Sequence, residues 1–90
     1  MANHRIYADF QNADVQGRLR LNCRGTLDDL HRHQITLSKG LVLTLYSEDV
    51  EVEGEVQFST DESIWVAQID WNAVRQFDAT EQSVGVENQQ

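Results

Sequence analysis

The sequence predicts an α+β fold that is mainly β: a small curled antiparallel sheet or partly open barrel of about five strands, with one short helix after the second strand. Two observations predict this fold. Apolar and polar residues alternate in several short segments, and clusters of turn-forming residues separate these segments. The chain has 90 residues, 40% of them hydrophobic, which is enough for one modest core. We therefore predict one β-rich domain over residues 1–77 and a polar, disordered C-terminal tail over residues 78–90.

The first two predicted strands are residues 4–10 and 18–23, where apolar side chains recur at every second position. Between them lie Asn12, Asp14 and Gly17, which are residue types that tolerate turn conformations. The simplest interpretation is a hairpin that joins the two strands through a long loop.

The predicted helix begins at Thr26 and ends before Gln34. The threonine hydroxyl can cap free backbone N–H groups, and Asp28 and Asp29 suit the positive end of a helix dipole. Few apolar residues follow, so the helix has about two turns and depends on packing for its stability.

The second half of the chain predicts three further strands. Residues 41–46 are apolar on both faces, which predicts a strand inside the sheet, flanked on both sides. Residues 50–58 alternate throughout, with Gly54 on the inward face, and a glycine at such a position predicts a bend or bulge. Residues 64–71 form the last predicted strand and place Trp65 and other apolar residues on one face. The two predicted strands between Gly40 and Phe58 are punctuated by glycines and are followed by this tryptophan-bearing strand. Together the three strands resemble SH3-like or OB-like small barrels, at the level of fold and without a functional motif.

Charge is distributed unevenly along the chain. Residues 1–40 carry six basic and four acidic side chains, whereas residues 41–90 carry one basic residue, Arg75, and eleven acidic ones. The net charge of -8 argues against direct nucleic-acid binding, because affinity for the phosphate backbone comes largely from lysine and arginine.

Seven carboxylates lie within residues 48–62 without a basic residue among them, and they predict an acidic binding face. They are Glu48, Asp49, Glu51, Glu53, Glu55, Asp61 and Glu62. Such a face suits a basic protein partner, or it mimics the backbone of a nucleic acid. The simpler explanation is a charged strand that protects the sheet from edge-to-edge aggregation.

Three further residues are candidate contacts. Arg18 and Arg20 have the same two-residue spacing as the glutamates of residues 51–55. If their strands are neighbours, the two sets form cross-strand ion pairs; if not, a basic and an acidic face allow self-association. Trp71, beside the end of the last predicted strand, is a candidate contact residue, whereas Trp65 is expected in the core.

No catalytic motif and no metal site are predicted. Cys23, His31 and His33 lack the spacing of a zinc site, and no glycine-rich phosphate loop is present. If Met1 were removed, residues 2–4 could chelate Cu²⁺ or Ni²⁺ through the terminal amine, two amides and the His4 imidazole. With no secretory signal and no membrane-spanning run, we expect a cytoplasmic protein without a cofactor.

The leading functional hypothesis is therefore a non-enzymatic interaction module, whose acidic face contacts a basic protein or the basic half of a second copy. The alternative is a nucleic-acid mimic that inhibits a basic nucleic-acid-binding protein. A small metal-binding protein or enzyme is a third class, with no motif behind it beyond residues 2–4.

Overall fold

Six β-strands and one α-helix make up the regular structure of residues 3–76, the part of the chain that the computed structural model describes. In chain order they are β1 (Arg5–Tyr7), β2 (Leu19–Arg20), α1 (Arg24–Arg32), β3 (Val42–Ser47), β4 (Val50–Ser59), β5 (Ile64–Ile69) and β6 (Arg75–Gln76), with a 3₁₀ turn at Trp71–Ala73 before β6. The predicted polar tail, residues 78–90, lies outside this part of the chain.

The strands form one mixed sheet in the order β1-β3-β4-β5-β2, and β6 pairs with the first residues of β4. All pairs are antiparallel except β1 with β3, which run parallel. The sheet does not close into a barrel. The predicted fold class is thus confirmed: a small, mainly β domain with one helix after the second strand.

The predicted hairpin between the first two strands is wrong, because β1 and β2 lie at opposite ends of the sheet. Ile6 of β1 lies opposite Leu45 of β3, and Leu19 of β2 lies opposite Ala67 of β5. The loop before β2 folds back on β2 itself, since the Arg20 N–H donates to the Asn12 carbonyl over 3.0 Å. Both strands are also shorter than the alternation predicted.

Strand β4 is the long central strand of the sheet. It pairs with β3 along Val50–Glu55 on one side, and with β5 along Gly54–Ser59 on the other. The pairing continues through Gly54, so the expected bulge is not present. A methyl group on Gly54 would lie 2.7 Å from Cδ1 of Leu45 and 3.0 Å from Cγ2 of Ile69. Close packing therefore explains this glycine.

One face of the sheet carries the hydrophobic core, as the alternation predicted. The buried residues of the core are Ile6, Ala8, Leu19, Leu21, Leu30, Leu43, Leu45, Val52, Val56 and Ala67. Trp65, which was expected in the core, is partly buried and packs against this cluster from outside it. The glutamates of β4 point to the opposite face.

Helix α1 begins two residues before the predicted start, and Thr26 does not cap it. The N-cap residue is Cys23, and the Thr26 hydroxyl instead donates to the Tyr7 carbonyl over 2.6 Å. The Asp29 carboxylate accepts from the Tyr7 N–H over 2.9 Å. Tyr7 lies in β1, the terminal strand of the sheet. The helix therefore satisfies backbone groups on the edge of β1 that faces away from β3.

Candidate functional site

The central part of the predicted acidic face is neutralised by arginines. Arg75 of β6 lies opposite Glu51, with Nε 3.1 Å from the Glu51 carboxylate and Nη2 2.9 Å from that of Glu53. Arg5 forms a second ion pair with Glu51. The hydrogen bonds from Arg75 lower the pKa of Glu53 and outweigh the opposing effect of desolvation. Two of the three outward glutamates of β4 are thus paired.

Arg18 and Arg20 do not meet the glutamates of β4, because β2 lies beside β5. Arg20 binds Glu62 through two hydrogen bonds of 2.7 and 2.8 Å. Arg18 binds the buried carboxylate of Asp14 over 2.9 Å and reaches Gln57 of β4 over 3.4 Å. Both arginines therefore pair with acids that are near β2. The partners of the β4 glutamates, Arg75 and Arg5, were not predicted from the sequence.

The seven predicted carboxylates do not form one patch. Glu48 and Asp49 lie in the turn before β4, and Asp61 and Glu62 lie in the turn after it. A strand of this length holds the two turns roughly 30 Å apart. Glu55 lies between them and forms no ion pair with any residue from 3 to 76. Only Gly54 and Glu55 of β4 pair with both β3 and β5, so edge protection stays an alternative explanation for the charges of this strand.

A cavity of about 320 Å³ opens where β1 and β3 end. The two strands are parallel, so their carboxyl ends meet at the same end of the sheet, next to the turn that leads into β4. The cavity is lined by Tyr7, Asp9, Phe10, Gln11, Ser47, Glu48, Asp49 and Val50. We refer to it as the β1–β3 cavity.

Three carboxylates line the β1–β3 cavity and, within residues 3–76, none of them is in an ion pair: Asp9, Glu48 and Asp49. Asp9 accepts a hydrogen bond from the Gln11 N–H over 2.9 Å, which fixes the turn after β1. These side chains do not converge as a metal site: the described part of the chain has no group of three or more acidic, histidine or cysteine residues placed to hold an ion. The three carboxylate residues instead lie around the walls of the β1–β3 cavity.

Two aromatic residues, Tyr7 and Phe10, line the β1–β3 cavity together with Val50. The Tyr7 ring packs edge-on against Tyr46 at 5.8 Å between ring centres. The Phe10 ring packs edge-on against Trp71 at 6.3 Å. Trp71 in turn donates from Nε1 to the Gly17 carbonyl over 2.8 Å, and 46% of it remains exposed. The predicted contact residue Trp71 thus supports the cavity through Phe10.

Sequence reasoning found two residues of the cavity, Glu48 and Asp49, and missed Asp9 and both aromatic rings. The missing information was the parallel pairing of β1 with β3. Strand β1 has only three residues, and these are too few to indicate from the sequence that the strand pairs with β3 much later in the chain.

The remaining candidates from the sequence form no site with the cavity. The Cys23 thiol lies 3.0 Å from the Thr26 hydroxyl and is half-buried, at the start of α1. No helix within residues 3–76 combines the length and the apolar character needed to cross a membrane.

Comparisons with protein-family models, with curated proteins and with solved structures found no match.

Proposed function

We propose that this protein is a small binding module whose β1–β3 cavity receives a lysine or arginine side chain of a partner protein. One observation carries the proposal: three carboxylates without an ion-pair partner in the described chain, Asp9, Glu48 and Asp49, line the same cavity as the aromatic residues Tyr7 and Phe10.

The chemistry of the lining suits an organic cation. Carboxylates accept charge-assisted hydrogen bonds from guanidinium and ammonium groups, and aromatic faces attract the same cations. The protein already makes this combination beside the cavity. Arg5 lies over the Tyr46 ring, with its guanidinium carbon 4.8 Å from the ring centre, while it pairs with Glu51. A partner's arginine would repeat this arrangement between Tyr7 and the turn before β4.

The size of the cavity limits what it can receive. At about 320 Å³ it is at the small end of ligand pockets in proteins. This volume suits one extended side chain presented by a partner. The overall charge of -8 would accelerate the approach of a basic protein and make the association rate sensitive to salt.

The same observations favour this proposal over nucleic-acid mimicry, which needs a regular row of unpaired negative charges. Arg75 and Arg5 interrupt that row at Glu51 and Glu53.

The proposal can be tested by selecting binders from a random peptide display library with the full-length chain. We expect the selected peptides to share a lysine or arginine and to lose affinity as salt increases. The variant Asp9→Asn/Glu48→Gln/Asp49→Asn should weaken the selected peptides by at least about tenfold, or about 1.4 kcal/mol.

A matched control removes three charges outside the cavity. Asp28, Glu55 and Asp61 are exposed and form no ion pair within residues 3–76. The variant Asp28→Asn/Glu55→Gln/Asp61→Asn changes the net charge equally and should retain affinity. Equal losses in the two variants would mean that overall charge, and not the cavity, is responsible for binding.

A further inference from the structure

Two histidines that are far apart in the sequence lie next to each other in the fold. His4 immediately precedes β1, and His33 is the C-cap residue of α1. Their ring centres are 6.0 Å apart, and the ring planes are inclined by 38°. Both side chains are exposed, so their rings can rotate at little cost.

The backbone holds both residues in place. The His4 carbonyl accepts a hydrogen bond from the Thr44 N–H over 2.9 Å, which ties it to β3. After His33 the chain forms a Schellman motif: Gln34 has a φ of 57° and donates to His31, and the Ile35 N–H donates to the Leu30 carbonyl over 2.9 Å. The two imidazoles therefore project from fixed positions.

We propose that His4 and His33 form a two-imidazole chelate for Zn²⁺ that joins the start of β1 to the end of α1. With zinc–nitrogen bonds of about 2.0–2.1 Å, two imidazoles on one tetrahedral ion have ring centres about 5 Å apart. The observed separation of 6.0 Å is within reach of side-chain rotation alone. Neutral imidazole is a preferred ligand of zinc and of its neighbours in the transition series.

The two imidazoles would fill only two of the coordination positions of the ion. Within residues 3–76 no third acidic, histidine or cysteine side chain completes a metal-binding group with the pair. Water or a ligand from another molecule would occupy the other positions. The adjacent arginines are engaged with carboxylates, Arg5 with Glu51 and Arg32 with Asp29. Their positive charges are thereby offset next to the ion.

The pair is distinct from a chelate of the terminal residues 2–4. That chelate would need His4 but not His33, and it would use backbone amide nitrogens. Zinc in proteins is bound by imidazole, thiolate and carboxylate groups instead. A zinc titration in which His33 is varied therefore separates the two.

The test is calorimetric titration of the full-length chain with Zn²⁺ at neutral pH. We expect one ion per chain, and a loss of affinity of at least about tenfold in His33→Gln and in His4→Gln, since even outer-sphere partners of metal ligands carry effects of that size. His31→Gln is the matched control, an exposed histidine on the same helix, and should bind as the parent does. Circular dichroism would establish that each variant is folded.

Three outcomes would overturn the proposal: no zinc bound by the parent chain, full affinity retained in folded His33→Gln, or an equal loss in His31→Gln.

Discussion

The carboxylate of Asp29 accepts a 2.8 Å hydrogen bond from the Tyr46 hydroxyl. The same oxygen accepts the Tyr7 N–H, so one buried side chain of α1 connects the helix with both β1 and β3. Tyr7 is also part of the β1–β3 cavity. The geometry of the proposed binding site therefore depends on a residue that does not line it.

Replacing Asp29 should destabilise the fold. In Asp29→Ala the Tyr7 N–H and the Tyr46 hydroxyl lose their common acceptor at a part-buried position. Because both donors are left without a partner there, we expect the free energy of unfolding to decrease by about 2–4 kcal/mol. Asp28→Ala, the exposed neighbour on the same helix, should change it by less than about 0.5 kcal/mol. Urea unfolding followed by circular dichroism measures both. Similar values for the two variants would contradict the connecting role of Asp29.

Stability should decrease in acid, in part through Asp29. Burial alone would raise the pKa of this carboxyl, but hydrogen bonds from Tyr7, Tyr46 and Arg32 outweigh it and lower the pKa below 3.8. The folded state then binds fewer protons than the unfolded state. The resulting stability is present above pH 3.8 and is lost as the pH falls through the lower pKa of the folded state.

The acid dependence can be assigned to this residue by measuring the urea midpoint as a function of pH. Asp29→Asn carries no titrating group at this position, so its midpoint should decrease less steeply below about pH 4 than that of the parent chain. Asp14 also has a lowered pKa, because hydrogen bonds from Arg18 and Gln16 outweigh its burial. Part of the decrease should therefore remain in the variant. Parallel curves would rule out a contribution from Asp29.

Gly54→Ala tests the packing inside β4. The added methyl group would lie 2.7 Å from Leu45 and 3.3 Å from Ala67, in a core without space for it. We expect a loss of about 1–3 kcal/mol in the free energy of unfolding, as for other overpacked cores. The control is Glu55→Ala, the next residue along the strand, whose side chain is exposed and should cost less than about 1 kcal/mol.

Gln34→Gly should stabilise the protein. Gln34 adopts a φ of 57° after the end of α1, a conformation that glycine adopts without steric cost. We expect a gain of about 0.5–1 kcal/mol after allowing for the greater entropy of glycine in the unfolded chain. Asp28→Gly, inside the helix, should instead lose about 0.3 kcal/mol, because aspartate is already a poor helix former. A loss in both variants would show that the Gln34 side chain contributes more than its backbone strain costs.

The fold could be predicted where the information is local. Strands β4 and β5 follow from unbroken alternation and from a polar turn between them, and they pair as a hairpin. The parallel pairing of β1 with β3 could not be predicted, since three residues do not specify a partner strand. The pairing of Arg75 with the β4 glutamates was missed for the same reason, because β6 has only two residues.

The start of the helix shows how tertiary contacts override a local signal. Thr26 is a good capping residue in sequence, yet its hydroxyl donates to the Tyr7 carbonyl at the edge of β1. Gly25 permits this contact, because a methyl group there would lie 2.6 Å from the Tyr7 ring. The requirement to satisfy the sheet edge determines where the helix lies, and it is not visible in the residues around Thr26.

The proposed function requires that a basic side chain occupies the β1–β3 cavity. Mapping amide chemical shifts of the ¹⁵N-labelled full-length chain tests it most directly, with a blocked glycine peptide containing one arginine as the probe and its glutamine counterpart as the control. We expect saturable shifts for the arginine peptide alone, largest at residues 7–11 and 47–50. Shifts centred on residues 51–57, equal shifts with the glutamine peptide, or no saturable shifts would contradict it.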